Sequence, residues 1–229
     1  MQTKVQALPD PLPLNPMPLA ADWLRQAWEE KTQRNPNSMV LATTDAAGRP
    51  SARVVLCKEI VIDPGYLVFY TSYGSRKGHE LSARPWAAVV FYWDDLRRQL
   101  RVEGPVVTSS VAESDEYFAS RPWQSRLAAL TSQQSAPIAS RRDLLEKLRA
   151  TASRFGAPDP VSAAEEAGAG LQLPRPPGWG GYHLWAATVE LWIEGEHRLH
   201  DRVRWTRELK SSGTTHGQTQ PWQHQRLQP

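Results

Sequence analysis

The 229-residue sequence has a single cysteine, Cys57, so it forms no internal disulfide and has no thiolate cluster for a metal. A reducing, cytoplasmic setting is the expectation for such a chain. Long apolar runs are also missing. The longest, Trp86 to Trp93, has eight residues, against the ~18 or more needed to span a bilayer as a helix. The first residues carry one cation, Lys4, and then five prolines between Pro9 and Pro18. This is not the apolar core of a secretory signal, and the segment is expected to be an extended arm. There is no Gly-x-Gly-x-x-Gly, no Walker-type Gly-Lys-Ser, no Gly-x-Ser-x-Gly and no His-Glu-x-x-His, so four common nucleotide, hydrolase and protease chemistries are set aside. An excess of either charge is missing as well, with 27 Lys and Arg against 24 Asp and Glu. The net charge of +3 is small and its cations are scattered, which argues against a nucleic-acid partner. His197 and His200 stand three apart without an obvious third ligand, so no metal site is expected.

What the sequence does have is tryptophan, ten in all, with 40% hydrophobic and 22% charged residues, the profile of a folded globular chain. Leu24, Ala27 and Trp28 fall at helical spacing between Asp22 and Gln33, and Asn35-Pro36 ends that helix. Strands are predicted over Ser38–Thr44, Ser51–Ile60, Tyr66–Thr71, Trp86–Trp93 and Arg97–Val107, with one or two helical turns over Ser75–Ser82. Ser110 and Glu113 form a capping box that opens a helix to about Ser120, and Ser140–Phe155 carries Leu144, Leu145 and Leu148 on one face. Residues 156–178, rich in Ala, Gly and Pro, read as a flexible loop. Two strands, Tyr182–Ile193 and Arg202–Leu209, and a polar tail over 210–229 finish the chain. This order predicts a mainly β fold, an antiparallel barrel, closed or partly closed, with flanking helices. The arm is residues 1–18, the single domain 19–209, and the tail completes the barrel.

Five polar clusters lie at strand ends. Arg53-Val54-Val55-Leu56-Cys57-Lys58 brackets an apolar strand with cations, which also fits an ordinary half-buried strand. Tyr70-Thr71 followed by Gly74-Ser75-Arg76-Lys77 joins hydroxyls, a turn and the start of a helical segment, a set suited to a phosphate or to a plain cap. Tyr117 and Arg121, four apart, would share a helix face, and Pro122 would turn the chain so that Ser125 joins them. Gln134-Ser135 says nothing by itself. Arg198, His200 and Arg202 alternate, and in an extended segment they would project to one side.

Together, and in this order, the five clusters resemble the pyridoxamine 5'-phosphate oxidases, the FMN enzymes that make pyridoxal 5'-phosphate. The likeness runs from about Asp22 to Arg207, with Gln99 inside Leu-Arg-Arg-Gln-Leu and the Arg-Leu-Gln-Pro ending. The resemblance implies an FMN-binding split β-barrel and a homodimer with both flavin sites at the subunit interface. It implies that Arg53, Val54, Val55, Leu56, Cys57, Lys58, Tyr70, Thr71, Arg76 and Lys77 hold FMN, mainly its phosphate. Gln99, Gln134, Ser135, Trp192 and Arg202 would reach the flavin as well, some from the second subunit. Lys58, Tyr117, Arg121 and Ser125 would bind the substrate phosphate. Arg198, Leu199 and His200 would face the pyridine ring, with Arg198 and His200 as the catalytic pair. Three features depart from the family. The arm is short and proline-rich, Cys57 stands where an aliphatic residue is usual, and 157–172 is longer than usual.

The reaction this implies is FMN-dependent oxidation of pyridoxamine or pyridoxine 5'-phosphate by O2, giving pyridoxal 5'-phosphate and H2O2. Two alternatives share the fold: a sibling oxidase of the phenazine type acting on another ring, and a non-catalytic flavin-binding barrel. The complete phosphate set favours the vitamin B6 reaction over the first, and Arg198 with His200 favours it over the second. No nucleic acid and no membrane are expected as partners.

Overall fold

In a computed structural model of the chain, residues 7–212 and 215–229 are described. Lys4 and the first six residues of the predicted arm lie outside the described residues. The helices are α1 (Met17–Glu29), α2 (Arg76–Ala83), α3 (Val111–Ala119), α4 (Trp123–Thr131) and α5 (Arg141–Arg154). The strands are β1 (Ser38–Thr44), β2 (Pro50–Leu56), β3 (Glu59–Val61), β4 (Tyr66–Ser72), β5 (Trp86–Trp93), β6 (Arg98–Thr108), β7 (Trp179–Trp185), β8 (Thr188–Ile193), β9 (Asp201–Thr206), β10 (Leu209–Ser212), β11 (Thr215–Thr219) and β12 (Gln223–Leu227). The fold is mainly β. The chain forms two compact units: Met1–Phe69 with Glu80–Val107 and Tyr182–Pro229, and Tyr70–His79 with Thr108–Gly181.

The first unit is built on an antiparallel sheet with the order β12-β9-β8-β6-β5-β1-β2. Alternation in β1 buries Met39, Leu41 and Thr43, and in β5 it buries Ala87, Val89, Phe91 and Trp93. One side of each strand therefore faces a core with Leu100, Val102, Leu191, Val203 and Trp205. Two indoles in this core find partners for their N–H groups: Trp93 donates to the Pro36 carbonyl at 2.8 Å and Trp205 to the Pro13 carbonyl at 2.9 Å. The second bond and that from the Leu8 amide to Asp201 (2.8 Å) fasten the proline-rich arm to β9.

Several boundaries differ from the sequence reading. Helix α1 starts five residues before Asp22, because Pro16 and Pro18 suit the first turn, where amides need no intrahelical partner. Its buried face is Met17, Ala20, Trp23 and Ala27, while Trp28 is exposed. The strand expected over Ser51–Ile60 is two, β2 and β3, and that over Tyr182–Ile193 is part of β7 followed by β8. In the tail, β12 pairs with β9 from Gln223↔Thr206 to Leu227↔Arg202.

In the second unit, Ser110 caps α3 and Ser140 caps α5, each hydroxyl accepting from the amide three residues on (3.1 Å in both). Helix α4 packs Trp123 and Leu127 against Ala152 and Leu173. Leu173 and the neighbouring Leu171, Ala163 and Ala157 belong to the segment expected to be a flexible loop. A side chain at Gly168 would overlap the Trp123 indole. The segment is thus fitted to a core despite its lack of period.

Candidate functional site

In the second unit, Lys77 is only 7% exposed. Its ammonium donates to Thr71 Oγ1 (2.9 Å), Ser75 Oγ (3.1 Å) and Gln134 Oε1 (3.0 Å). Thr71 Oγ1 in turn donates to Gln134 Oε1 at 3.0 Å. Three predicted flavin residues from separate stretches, Thr71, Lys77 and Gln134, are therefore one cluster. Arg76, at the start of α2, is exposed beside them in sequence, and Ser135 follows Gln134 with a left-handed backbone, φ +75°. In this arrangement the three ammonium N–H groups go to protein oxygens, and Gln134 offers its oxygen as the shared acceptor. A cation beside two hydroxyls is the residue set that suits a phosphate, so in type the residues present fit the phosphate of FMN, whose oxygen would replace one of these acceptors.

The same unit holds an aromatic stack. The Tyr70 and Tyr117 rings lie 3.9 Å apart at 19°, and each is near-parallel to the Trp179 indole, at 5.6 and 6.2 Å. The Arg121 guanidinium sits 4.7 Å from the centre of that indole and 5.7 Å from Phe118. Tyr117 and Arg121 do not share a helix face as expected. α3 ends at Ala119 and Arg121 lies in the turn before Pro122, so it is Trp179 that both residues meet. Ser125 is half-buried in the first turn of α4. Burial lowers the pKa of Arg121 from its ordinary value, and neighbouring Arg126 adds to the shift while Tyr117 opposes it.

The first unit holds the remaining predicted residues. Along one row of the sheet, Gln99 on β6 faces Trp192 on β8, which faces Arg202 on β9, which faces Leu227 on β12. Arg202 donates through Nη2 to Glu190 Oε1 at 2.8 Å and through Nη1 to the Gln228 carbonyl at 3.0 Å. Glu190 is 5% exposed and also pairs with Arg101. Trp192 and His200 rings are 4.7 Å apart, and His200 Nδ1 accepts from the Gly195 amide at 3.2 Å. Neutral His200 consequently carries its proton on Nε2.

Arg198, His200 and Arg202 do not alternate along an extended segment as expected. His197 (φ +53°) and Arg198 (φ +64°) form a left-handed turn over Glu196–Arg198, and β9 begins at Asp201. The turn closes on Gly195, where a Cβ would stand 1.8 Å from the Leu199 carbonyl oxygen. It leaves Arg198 and Leu199 exposed, Leu199 at 73%.

Strand β2 carries Arg53 to Leu56. Arg53 Nη1 donates to the Leu41 carbonyl (3.2 Å) and Thr43 Oγ1 (2.5 Å), and Nη2 to Glu80 (3.1 Å) and Ser51. Glu80, 5% exposed, also accepts from Thr43 and Ser51. Val54 and Leu56 point outward, Val55 is half-buried and Lys58 is exposed. Cys57 is buried, and burial pushes its thiol pKa up to about 12. Among the described residues, no group of three His, Cys, Asp or Glu side chains is placed to hold a metal ion.

A family model described as pyridoxamine 5'-phosphate oxidase matches residues 24–161. A second, the pyridoxine 5'-phosphate oxidase C-terminal dimerisation region, matches residues 179–229. The chain belongs to the pyridoxamine 5'-phosphate oxidase family.

A pyridoxine/pyridoxamine 5'-phosphate oxidase of Paraburkholderia phytofirmans is 44% identical to it over 215 residues, 94% of this chain and 89% of the relative. One from Cereibacter sphaeroides is 41% identical, covering 94% and 95%. Among solved structures, PhzG from Burkholderia lata 383, in complex with tetrahydrophenazine-1-carboxylic acid, superposes with a TM-score of 0.79 at 29% identity, covering 96% and 95%. A pyridoxamine 5'-phosphate oxidase-related, FMN-binding protein from Nostoc punctiforme shares the fold at a TM-score of 0.66 and 17% identity, covering 95% and 100%. The chain is an oxidoreductase of this oxidase family.

Three residues of the site carry no part of the family resemblance: Glu80, Glu190 and Trp179. Glu80 and Glu190 are acids inside ordinary patterns, with nothing near them in sequence to mark their arginine partners. Trp179 did have a signal. It precedes Gly180-Gly181, where a Cβ would overlap the Tyr73 hydroxyl (2.1 Å) and the Tyr70 ring (2.8 Å). Paired glycines after an aromatic mark such a close approach.

Proposed function

We propose that this oxidase uses FMN and O2 to convert pyridoxine 5'-phosphate or pyridoxamine 5'-phosphate to pyridoxal 5'-phosphate. The alcohol reacts as substrate plus O2 giving aldehyde plus H2O2; the amine also takes up water and releases ammonia. The observation that carries the reading is Arg121, a partly buried guanidinium held on the Trp179 face beside Tyr117, in a chain whose named relatives act on phosphorylated pyridines. A phosphate monoester is the ligand that such a cation and phenol suit.

FMN, when bound, supplies the acceptor for two electrons from the substrate carbon and passes them to oxygen. Lys77, Thr71 and Gln134 would hold its phosphate, with Arg76 and Ser135 next to them in sequence, and the residues Arg53–Lys58 would contribute to FMN binding as the family resemblance implies. Gln99, Trp192 and Arg202 would line its ring, with Arg202 countering negative charge there. Arg121, Tyr117, Ser125 and Lys58 would anchor the substrate phosphate. Arg198, Leu199 and His200 would lie over the pyridine, with His200 Nε2–H as a donor toward it. The residues' task is positioning and electrostatics. The dimerisation region supports a homodimer with flavin sites at the interface, and a buried, unreactive lone cysteine is in keeping with a cytoplasmic enzyme.

The test is peroxide production by the flavin-loaded protein with pyridoxine 5'-phosphate, pyridoxamine 5'-phosphate and tetrahydrophenazine-1-carboxylic acid. Turnover of the phosphorylated pyridines alone supports the reading. Turnover of the phenazine alone would move the chain to its PhzG-like sibling.

A further inference from the structure

Two arginines of the candidate site are held by carboxylates: Arg53 by Glu80 and Arg202 by Glu190. Arg121 is held differently. Its guanidinium lies against two aromatic rings, and its Nη1 is buried without a hydrogen-bond acceptor. A carboxylate would fix the side chain but cancel the charge a bound anion needs. An indole face attracts the cation by roughly 0.5–2 kcal/mol and leaves the charge in place.

Trp179 is built in from several directions. Its carbonyl accepts from Arg175 Nη1 at 2.5 Å, and Arg175 Nε reaches Asp115 of α3 at 2.6 Å. Its amide donates to the Pro176 carbonyl at 3.0 Å. Gly180 and Gly181 then let Tyr73 and Tyr70 approach the backbone more closely than any side chain would allow. The indole is near-parallel to Tyr117, at 6°, so one platform orients both the phenol and the guanidinium.

We propose that Trp179 is a positioning residue for the substrate's anionic group, holding Arg121 and Tyr117 in place while leaving the guanidinium charge for a phosphate monoester. This rests on the phosphorylated-pyridine reading above. The role differs from core filling, because it discriminates between a phosphorylated ligand and the same ring without phosphate.

The experiment uses the flavin-loaded enzyme as wild type, Trp179→Phe and Trp179→Leu. Kinetics are measured with pyridoxine 5'-phosphate and with pyridoxine, and equilibrium binding with pyridoxal 5'-phosphate and pyridoxal. Trp179→Leu is expected to raise KM for the phosphorylated substrate and Kd for pyridoxal 5'-phosphate about tenfold, a loss in the range of one cation–π contact. Its kcat should stay within about threefold, and pyridoxine and pyridoxal should be little affected. Trp179→Phe, which keeps a ring face, should recover most of the loss. Equal losses for phosphorylated and unphosphorylated ligands, or none, overturn the proposal. If Trp179→Leu does not fold, Arg175→Gln, which releases the Trp179 carbonyl, should give a smaller shift of the same selective kind, and a non-selective one overturns it. A wild type that turns over neither substrate refutes the reaction but not the anion site, which the binding arm still decides. A wild type that binds neither phosphorylated ligand overturns both.

Discussion

Lys77 and Gln134, fifty-seven residues apart, meet at 3.0 Å, and Thr71 joins them through its hydroxyl. If this cluster receives the FMN phosphate, Lys77→Met should weaken FMN about ten- to a hundredfold, the range of one or more charge-assisted hydrogen bonds. Riboflavin, which lacks the phosphate, should bind wild type and variant alike. Fluorescence titration of the flavin-free protein with both ligands measures this, and equal weakening of both would show that Lys77 only supports the fold.

Glu190 accepts from Arg202 and also pairs with Arg101. Glu190→Gln removes a nearly buried charge between two cations that remain. We expect a loss of ~2 kcal/mol, below the ~3–5 of a fully buried pair because both arginines are partly solvated. Thermal unfolding should drop by roughly 4–8 °C. A shift under about 1 °C would mean that solvent already screens the pair.

The Cys57 thiol titrates at about 12 in the folded chain against an ordinary 9.0, with desolvation as the main cause. The raised value means that the unfolded thiol ionises first. The stabilisation is therefore complete below about pH 9 and is lost as pH rises toward 12. At pH 8 the native protein should resist thiol-specific alkylation, while the denatured chain reacts readily. Fast labelling of the native protein would contradict the burial.

Gly195 closes the turn that carries Arg198 and His200, and any Cβ there meets the Leu199 carbonyl. Gly195→Ala should lower kcat/KM about tenfold or more with flavin content unchanged, since ring orientation rather than cofactor binding is disturbed. Flavin absorbance per chain and peroxide turnover separate the two. Loss of flavin in step with activity would assign the turn to the cofactor instead.

The strands were legible where one face is buried. Trp86–Trp93 and Ser38–Thr44 hold the alternation that their core positions require. β12 was not, because its Gln-His-Gln-Arg sequence is exposed and only pairing with β9 makes it a strand. Helix α4 hid behind Pro122, and 156–178 hid because Leu171 and Leu173 pack without a period. In the site, residues joined along the chain, such as Arg76 and Lys77, could be read as a group. Thr71, Lys77 and Gln134 became a cluster only through folding. The turn at Arg198 escaped because left-handed backbone at non-glycine residues leaves no mark in composition.

An anaerobic single turnover of the flavin-loaded protein with pyridoxine 5'-phosphate tests the proposed oxidation most directly. The visible flavin band should bleach with one pyridoxal 5'-phosphate formed per flavin, and recover with release of one H2O2 when oxygen is admitted. An unbleached flavin in the presence of saturating pyridoxine 5'-phosphate and pyridoxamine 5'-phosphate would contradict that oxidation.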